Sequence, residues 1–105
     1  MKSISVRELK DMFDQHEDFL LIDVREPFEA EEASMNGVLI PLGELESRVN
    51  EIPKDKKVIV HCRSGARSAN AIGFLEQRYG FTNLYNLSGG ILAWASEIDP
   101  SMDPF

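Results

Sequence analysis

Short apolar segments alternate along the chain with stretches of helical periodicity. Residues 19–24 form a run that is too short and too uniformly apolar for an amphipathic helix. Such a run is typical of a strand buried on both faces, as in a parallel sheet. Residues 38–40, 58–61 and 84–87 are interpreted as three further strands.

Between these strands, apolar residues recur at the spacing of a helix. Ser5 and Glu8 have the spacing of a capping box, which marks the start of the first helix. Pro27 marks the start of a short helix in an acidic segment, and Gly80 stands where a C-cap glycine belongs. Apart from the short helix at Pro27, the predicted helices cover residues 5 to about 15, 42–50, 68–79 and 91–95.

Strands that alternate with helices predict an α/β fold, a parallel sheet with helices on both faces. Ligands of such sheets bind beyond the carboxyl ends of the strands. Cys62 follows one predicted strand, and the run from Asp23 to Arg25 follows another. The candidate site is therefore expected where these two strand ends meet.

The only cysteine, Cys62, lies at a strand-to-helix turn. Backbone N–H groups converge in such a turn, and the dipole of the following helix favours negative charge. With Arg63 and Arg67 beside it, the thiol is expected to have a lowered pKa and to be nucleophilic at neutral pH. Gly65 is expected to let the loop close at a point where a Cβ would crowd it. Ser68 is expected to be the N-cap of the next helix.

Structural roles remain open for several of these residues. A free cysteine is often a small buried hydrophobe, and His61 is expected to be packed and hydrogen-bonded rather than a general base. Arg67 either contacts substrate or braces the loop. Asp23 either supports the site through an ion pair with Arg25 or another cation, or is a buried structural aspartate.

Length and charge narrow the possibilities further. A chain of 105 residues is expected to form a single domain, residues 1–105. Its net charge of −7 disfavours nucleic acid and anionic membranes as partners. One cysteine permits no internal disulfide, and the first residues lack the apolar core of a signal peptide. These features predict a cytoplasmic protein.

The chain resembles the rhodanese-like single-domain sulfurtransferases. Four runs carry the resemblance, and the cysteine loop and the Gly-Gly-x-x-Ala-Trp ending are its most specific parts. They are residues 21–27, 40–42, 62–68 and 87–94. Residues 33–40 depart from the family's Gly-His-Ile-x-Gly-Ala pattern, of which only Gly37 is clearly retained.

The resemblance implies a three-layer domain with a five-stranded, mainly parallel sheet flanked by helices. It also implies that Cys62 takes a sulfane sulfur from a small anionic donor of the thiosulfate type and becomes a persulfide. The sulfur would pass to a thiol, to cyanide, or to a sulfur-carrier or carrier-activating protein. The loop residues Arg63, Ser64, Gly65, Ala66 and Arg67 would bind the substrate. A persulfide needs hydrogen-bond donors but no metal and no organic cofactor.

Two other functions fit parts of the pattern. Cysteine phosphatases and arsenate reductases also place a cysteine before an arginine-containing loop. The four residues between Cys62 and Arg67 are one fewer than in the phosphatases, which predicts a smaller anion pocket. A non-catalytic rhodanese-like binding module is the remaining alternative, although such modules tend to lose the loop cysteine.

Overall fold

The fold is α/β, as the alternating pattern predicts. The computed structural model describes residues 1–104, so Phe105 of the expected single domain lies outside the described residues. The elements in chain order are β1 (Lys2–Ile4), α1 (Val6–Asp14), β2 (Phe19–Asp23), α2 (Pro27–Glu32), β3 (Val38–Leu39), two 3₁₀ helices (Leu42–Glu44 and Glu46–Glu51), β4 (Lys57–His61), α3 (Ala66–Tyr79), β5 (Leu84–Leu87) and α4 (Gly90–Glu97).

One five-stranded sheet forms the middle layer, in the order β1-β5-β4-β2-β3. All of its strand pairs are parallel. The sheet is therefore fully parallel, whereas the resemblance implied a mainly parallel one. The apolar pattern missed β1, because this strand is three residues long and mostly polar. Its pairing with β5, in which Ile4 lies opposite Leu87, fixes it at the edge of the sheet.

Two apolar cores lie on opposite faces of the sheet, and β4 contributes to both. Val58 and Val60 pack into the core beneath α3 and the 3₁₀ helices, whereas Ile59 packs into the core beneath α1 and α4. All three are at most 1% exposed. Burial of such a side chain stabilises the fold by roughly 1.5–3 kcal/mol. This two-sided burial holds the end of β4, and with it Cys62, in one place.

Helix ends follow the sequence closely, with two exceptions. The capping box of α1 is present, because the backbone N–H of Glu8 donates to Ser5 Oγ and that of Ser5 donates to Glu8 Oε1. The helix predicted over 42–50 is instead two 3₁₀ helices, the second kinked at Arg48. The prediction of Ser68 as an N-cap is wrong: α3 begins two residues earlier and Gly65 is its N-cap.

Among residues 1–104, none of the helices has the length and apolar character needed to cross a bilayer.

Candidate active site

The candidate site lies at the carboxyl ends of β4 and β2. Cys62 directly follows β4, and the last residues of the two strands, His61 and Asp23, are paired in register. Residues 62–65 join β4 to α3, so the thiol lies at the N-terminal end of a 14-residue helix. This is the position that the strand and helix pattern predicts for the site.

The Cys62 sulfur is surrounded by hydrogen-bond donors from the loop and the first turn of α3. The backbone N–H of Gly65 donates to Sγ over 3.1 Å, and that of Ser68 over 3.4 Å. The Ser68 hydroxyl oxygen lies 3.4 Å from the same sulfur. Donors at a helix N-terminus favour an anion, so this cradle suits a thiolate or a persulfide.

The pKa of the Cys62 thiol is lowered by this cradle. Burial acts to raise the pKa, since Cys62 is only 1% exposed. The Ser68 hydroxyl and the backbone N–H groups of Ser68, Gly65 and Ser64 outweigh burial, so the net shift is downward. The predicted direction is confirmed, and the backbone N–H groups expected at the strand-to-helix turn are among its causes.

Gly65 is needed for its backbone conformation rather than for space. Its φ of +112° lies in a region that residues with a side chain rarely adopt. A Cβ placed here would approach no atom closer than 3.8 Å. The expectation that a Cβ would crowd the loop is therefore wrong. The positive φ turns the chain so that the Gly65 N–H points at the sulfur.

The N-terminus of α4 holds the start of the cysteine loop. Ile91 N–H donates to the Cys62 carbonyl over 3.0 Å, and Leu92 N–H donates to the Arg63 carbonyl over 3.1 Å. A Cβ on Gly90 would lie 2.4 Å from the Arg63 carbonyl oxygen and 2.6 Å from that of Cys62. Glycine at this position allows the two backbones to meet, so the Gly-Gly pair supports the loop.

The remaining loop residues differ in their surroundings. Arg63, Ser64 and Ala66 are exposed. The Arg67 guanidinium instead donates to both carboxylate oxygens of Glu29, over 2.7 and 2.8 Å. These contacts place Arg67 as a brace between α3 and α2. A contact between Arg67 and substrate remains a prediction.

Asp23 and Arg25 form an ion pair that is almost fully buried. Arg25 Nε donates to Asp23 Oδ1 over 2.9 Å, and Nη2 donates to Oδ2 over 2.8 Å. Arg25 Nη2 also donates to the carbonyl of Ala33 over 2.7 Å, at the end of α2. The pair is the one that the sequence suggests. It contacts α2 and not the sulfur, so its support of the site is indirect.

His61 is packed in the interior, as expected. Its Nδ1 lies 3.3 Å from the Cys62 carbonyl, to which it can donate. Its Nε2 has no hydrogen-bond partner within residues 1–104 and lies 3.9 Å from Asp23 Oδ2. Burial lowers the pKa of His61, against the opposing effect of Asp23, so the ring is neutral at pH 7. The contacts of the ring are therefore structural.

Three residues near the site were not predicted in their observed roles. Ser68 contacts the sulfur instead of capping a helix, and Glu29 of the acidic segment binds Arg67. Asn86, on β5, hydrogen-bonds to both Ser68 and Gly65. A polar residue inside an otherwise apolar strand, near its carboxyl end, was the signal that could have identified Asn86.

Comparison with known proteins identifies the family of the chain. The model of the rhodanese-like domain family matches residues 5–97. The chain is 43% identical over 89 residues to a sulfurtransferase of Allochromatium vinosum, covering 84% of this chain and 82% of that protein. It is 30% identical over 119 residues to the adenylyltransferase and sulfurtransferase MOCS3 of Arabidopsis thaliana, covering 97% of this chain but only 25% of that protein.

A solved structure shows the same fold. The rhodanese-like domain protein from Staphylococcus aureus superposes with a TM-score of 0.82 at 29% sequence identity, covering 100% of this chain and 99% of that one. The resemblance drawn from the cysteine loop and the Gly-Gly-x-x-Ala-Trp ending is confirmed. The chain belongs to the family of rhodanese-like domain proteins.

Proposed function

We propose that this protein is a sulfurtransferase that carries a sulfane sulfur on Cys62 as a persulfide. The family match and the sulfurtransferase relatives support a role in sulfur transfer. The observation that carries the mechanism is the pair of backbone N–H groups, from Gly65 and Ser68, that point at the Cys62 sulfur. They are already oriented towards the sulfur before the reaction, so they stabilise a negative charge on it.

In the loading step, the Cys62 thiolate attacks the outer sulfur of thiosulfate. A new S–S bond forms to Cys62, the S–S bond inside thiosulfate breaks, and sulfite leaves with the electron pair. The product is a persulfide anion within the same cradle. Because Cys62 is only 1% exposed, this step requires the loop of residues 63–66 to open and admit the donor.

In the unloading step, an acceptor attacks the outer sulfur of the persulfide. A thiolate acceptor becomes a persulfide, and cyanide becomes thiocyanate. In both cases the S–S bond to Cys62 breaks, and the electron pair returns to Cys62 as a thiolate. The cycle uses only the protein sulfur and its hydrogen-bond donors. A reacting free thiol fits a reducing compartment such as the cytoplasm.

The substrates follow from charge and from relatives. Arg63 is exposed beside Cys62 and attracts a small anionic donor locally, against the net charge of −7. The match to a domain-sized part of an adenylyltransferase and sulfurtransferase supports a sulfur carrier, or the enzyme that activates it, as the acceptor partner. Thiosulfate, cyanide and low-molecular-weight thiols serve as test substrates.

Intact-mass spectrometry after incubation with thiosulfate tests the proposal. We expect the protein to gain the mass of one sulfur atom and to lose it again when cyanide or a thiol is added. The Cys62→Ser variant should keep its fold, as checked by circular dichroism, and gain no mass. An unchanged mass of the unmodified protein across several sulfane donors contradicts the proposal and favours a non-catalytic module.

Hydrolysis of an aryl phosphate provides the second measurement. The loop is one residue shorter than that of cysteine phosphatases and already closes on the sulfur itself. We therefore expect no hydrolysis above the rate of the Cys62→Ser variant. Phosphatase activity that depends on Cys62, without formation of a persulfide, would overturn sulfur transfer in favour of phosphate or arsenate chemistry.

A further inference from the structure

Asn86 lies behind the nucleophile and contacts the two groups that shape its cradle. It is half-buried on β5, opposite Val60 of the neighbouring strand β4. Its Nδ2 donates to the Gly65 carbonyl over 3.2 Å. Its Oδ1 accepts from the Ser68 hydroxyl over 2.6 Å. The Gly65 contact fixes the orientation of the amide, so Oδ1 is the atom that faces Ser68.

The Ser68 hydroxyl has one proton and three acceptors within reach. These are Asn86 Oδ1 at 2.6 Å, the Gly65 carbonyl at 3.2 Å and Cys62 Sγ at 3.4 Å. The Gly65 carbonyl already accepts from Asn86 Nδ2 and from Ala69 N–H. A carbonyl oxygen has two lone pairs, so the effective choice for the proton is between Asn86 and the sulfur.

We propose that Asn86 is a positioning residue for the nucleophile, which acts by competing with the Cys62 sulfur for the Ser68 hydroxyl proton. In the neutral thiol, the S–H group donates to Ser68 Oγ and the hydroxyl donates to Asn86. When the thiol loses its proton, the hydroxyl turns from Asn86 to the sulfur. Asn86 Oδ1 then loses its partner, and this loss opposes ionisation of Cys62.

The inference rests on the proposed function only in treating Cys62 as the reacting group. The experiment is the pH dependence of alkylation of Cys62 by iodoacetamide, which needs no sulfur donor. The midpoint of the profile reports ionisation of the Cys62 thiol, whereas the limiting rate at high pH reports access of the reagent to the thiol. Failure to form a persulfide and failure of this inference are therefore separate results.

Removal of the Asn86 amide should make the thiolate easier to form. In the Asn86→Ala variant we expect the midpoint to fall, and alkylation below the midpoint to be about three- to tenfold faster. In the Ser68→Ala variant the midpoint should rise, because a donor to the thiolate is lost. Asn86→Val, which keeps a side chain suited to a strand, is the second variant if Asn86→Ala folds poorly.

A double-mutant cycle separates competition for the proton from a general structural effect. The Asn86 substitution should have no effect in the Ser68→Ala background, where there is no hydroxyl proton to share. Asn83→Ala is the matched control, because Asn83 makes two hydrogen bonds near the other end of β5, to the carbonyls of Pro53 and Lys56. We expect this control to leave the midpoint unchanged.

Other charged and titratable groups around the thiol are constant through these variants. Arg63 lies in the loop and Arg67 in the first turn of α3. The others are at or just after the ends of β2 and β4, or on α2: Asp23, Arg25, His61 and Glu29. A midpoint that stays in place or rises in both Asn86 variants would overturn the inference. A fall of equal size in the Ser68→Ala background would overturn it as well.

Discussion

The Glu29 carboxylate and the Arg67 guanidinium are joined by two hydrogen bonds, of 2.7 and 2.8 Å, that tie α2 to the first turn of α3. Arg67 lies two residues after Gly65, whose N–H points at the Cys62 sulfur. The pair therefore links an acidic helix to the end of the cysteine loop. It holds one of the two loop arginines in a brace and leaves the other, Arg63, exposed.

This pair predicts a loss of stability in acid. The hydrogen bond from Arg67 lowers the pKa of Glu29 from 4.5 to about 2, against the opposing effect of burial. A carboxyl group whose pKa is lowered by folding stabilises the native state above its unfolded pKa. The contribution of Glu29 should therefore be complete above about pH 5, and should disappear as the pH falls towards 2.

Urea unfolding of the Glu29→Gln variant between pH 7 and pH 2 measures this contribution. At pH 7 we expect the variant to be less stable by roughly 1–3 kcal/mol, and the difference should shrink below pH 4.5. Glu31→Gln on the exposed side of α2 is the control, with little change. Parallel pH profiles for the unmodified protein and Glu29→Gln would contradict the prediction.

Arg63 should affect donor binding rather than folding. Its side chain is exposed at the loop and makes no ion pair within residues 1–104. We expect Arg63→Ala to raise the KM for thiosulfate roughly two- to fivefold, with little change in kcat or stability. The effect should weaken as salt is added. Arg78→Ala, near the opposite end of α3, should leave the KM unchanged, and equal effects of the two substitutions would refute a local role for Arg63.

Much of the fold could be predicted because it depends on burial. The strands buried on both faces are mostly apolar, and β2, β4 and β5 lie where the pattern places them. β1 could not be found, since a three-residue polar edge strand is defined by its partner β5. The helix expected over 42–50 has correctly spaced apolar residues, but its backbone is 3₁₀ and kinked at Arg48. Spacing alone does not distinguish these helix types.

The site could be predicted in position but not in its internal contacts. Cys62 was identified because its loop, strand and helix are contiguous in sequence. The partners of the loop come from distant segments: Glu29 lies 38 residues from Arg67, and Asn86 lies 18 residues from Ser68. Short-range patterns carry no information on such pairs.

Gly90 should tolerate no side chain, because α4 meets the cysteine loop there. In Gly90→Ala the new Cβ would lie 2.4 Å from a backbone carbonyl oxygen, at a φ of +58°. We expect a loss of unfolding free energy of about 1–3 kcal/mol or more, together with reduced sulfur transfer. Gly73→Ala on α3 is the matched control: its Cβ meets nothing within 4 Å, so stability should rise by about 0.5–1 kcal/mol. Equal stabilities of the two variants would show that α4 does not constrain the loop.

The buried pair of Asp23 and Arg25 should be far more sensitive to single than to paired substitution. Both side chains are 2% exposed, so Asp23→Asn leaves the Arg25 guanidinium without a counter-charge in the interior. We expect Asp23→Asn to lower the free energy of unfolding by about 3–5 kcal/mol. The double variant Asp23→Leu/Arg25→Met removes both charges, and should lose less than the sum of the two single substitutions.

A surface pair provides the comparison for this result. Lys10 and Asp14 form an exposed ion pair on α1, and Lys10→Ala should change stability very little. Urea unfolding at pH 7 gives the required energies for five variants: Asp23→Asn, Asp23→Leu, Arg25→Met, the double variant and Lys10→Ala. If Asp23→Asn were as mild as Lys10→Ala, the buried pair would not be holding α2 in place.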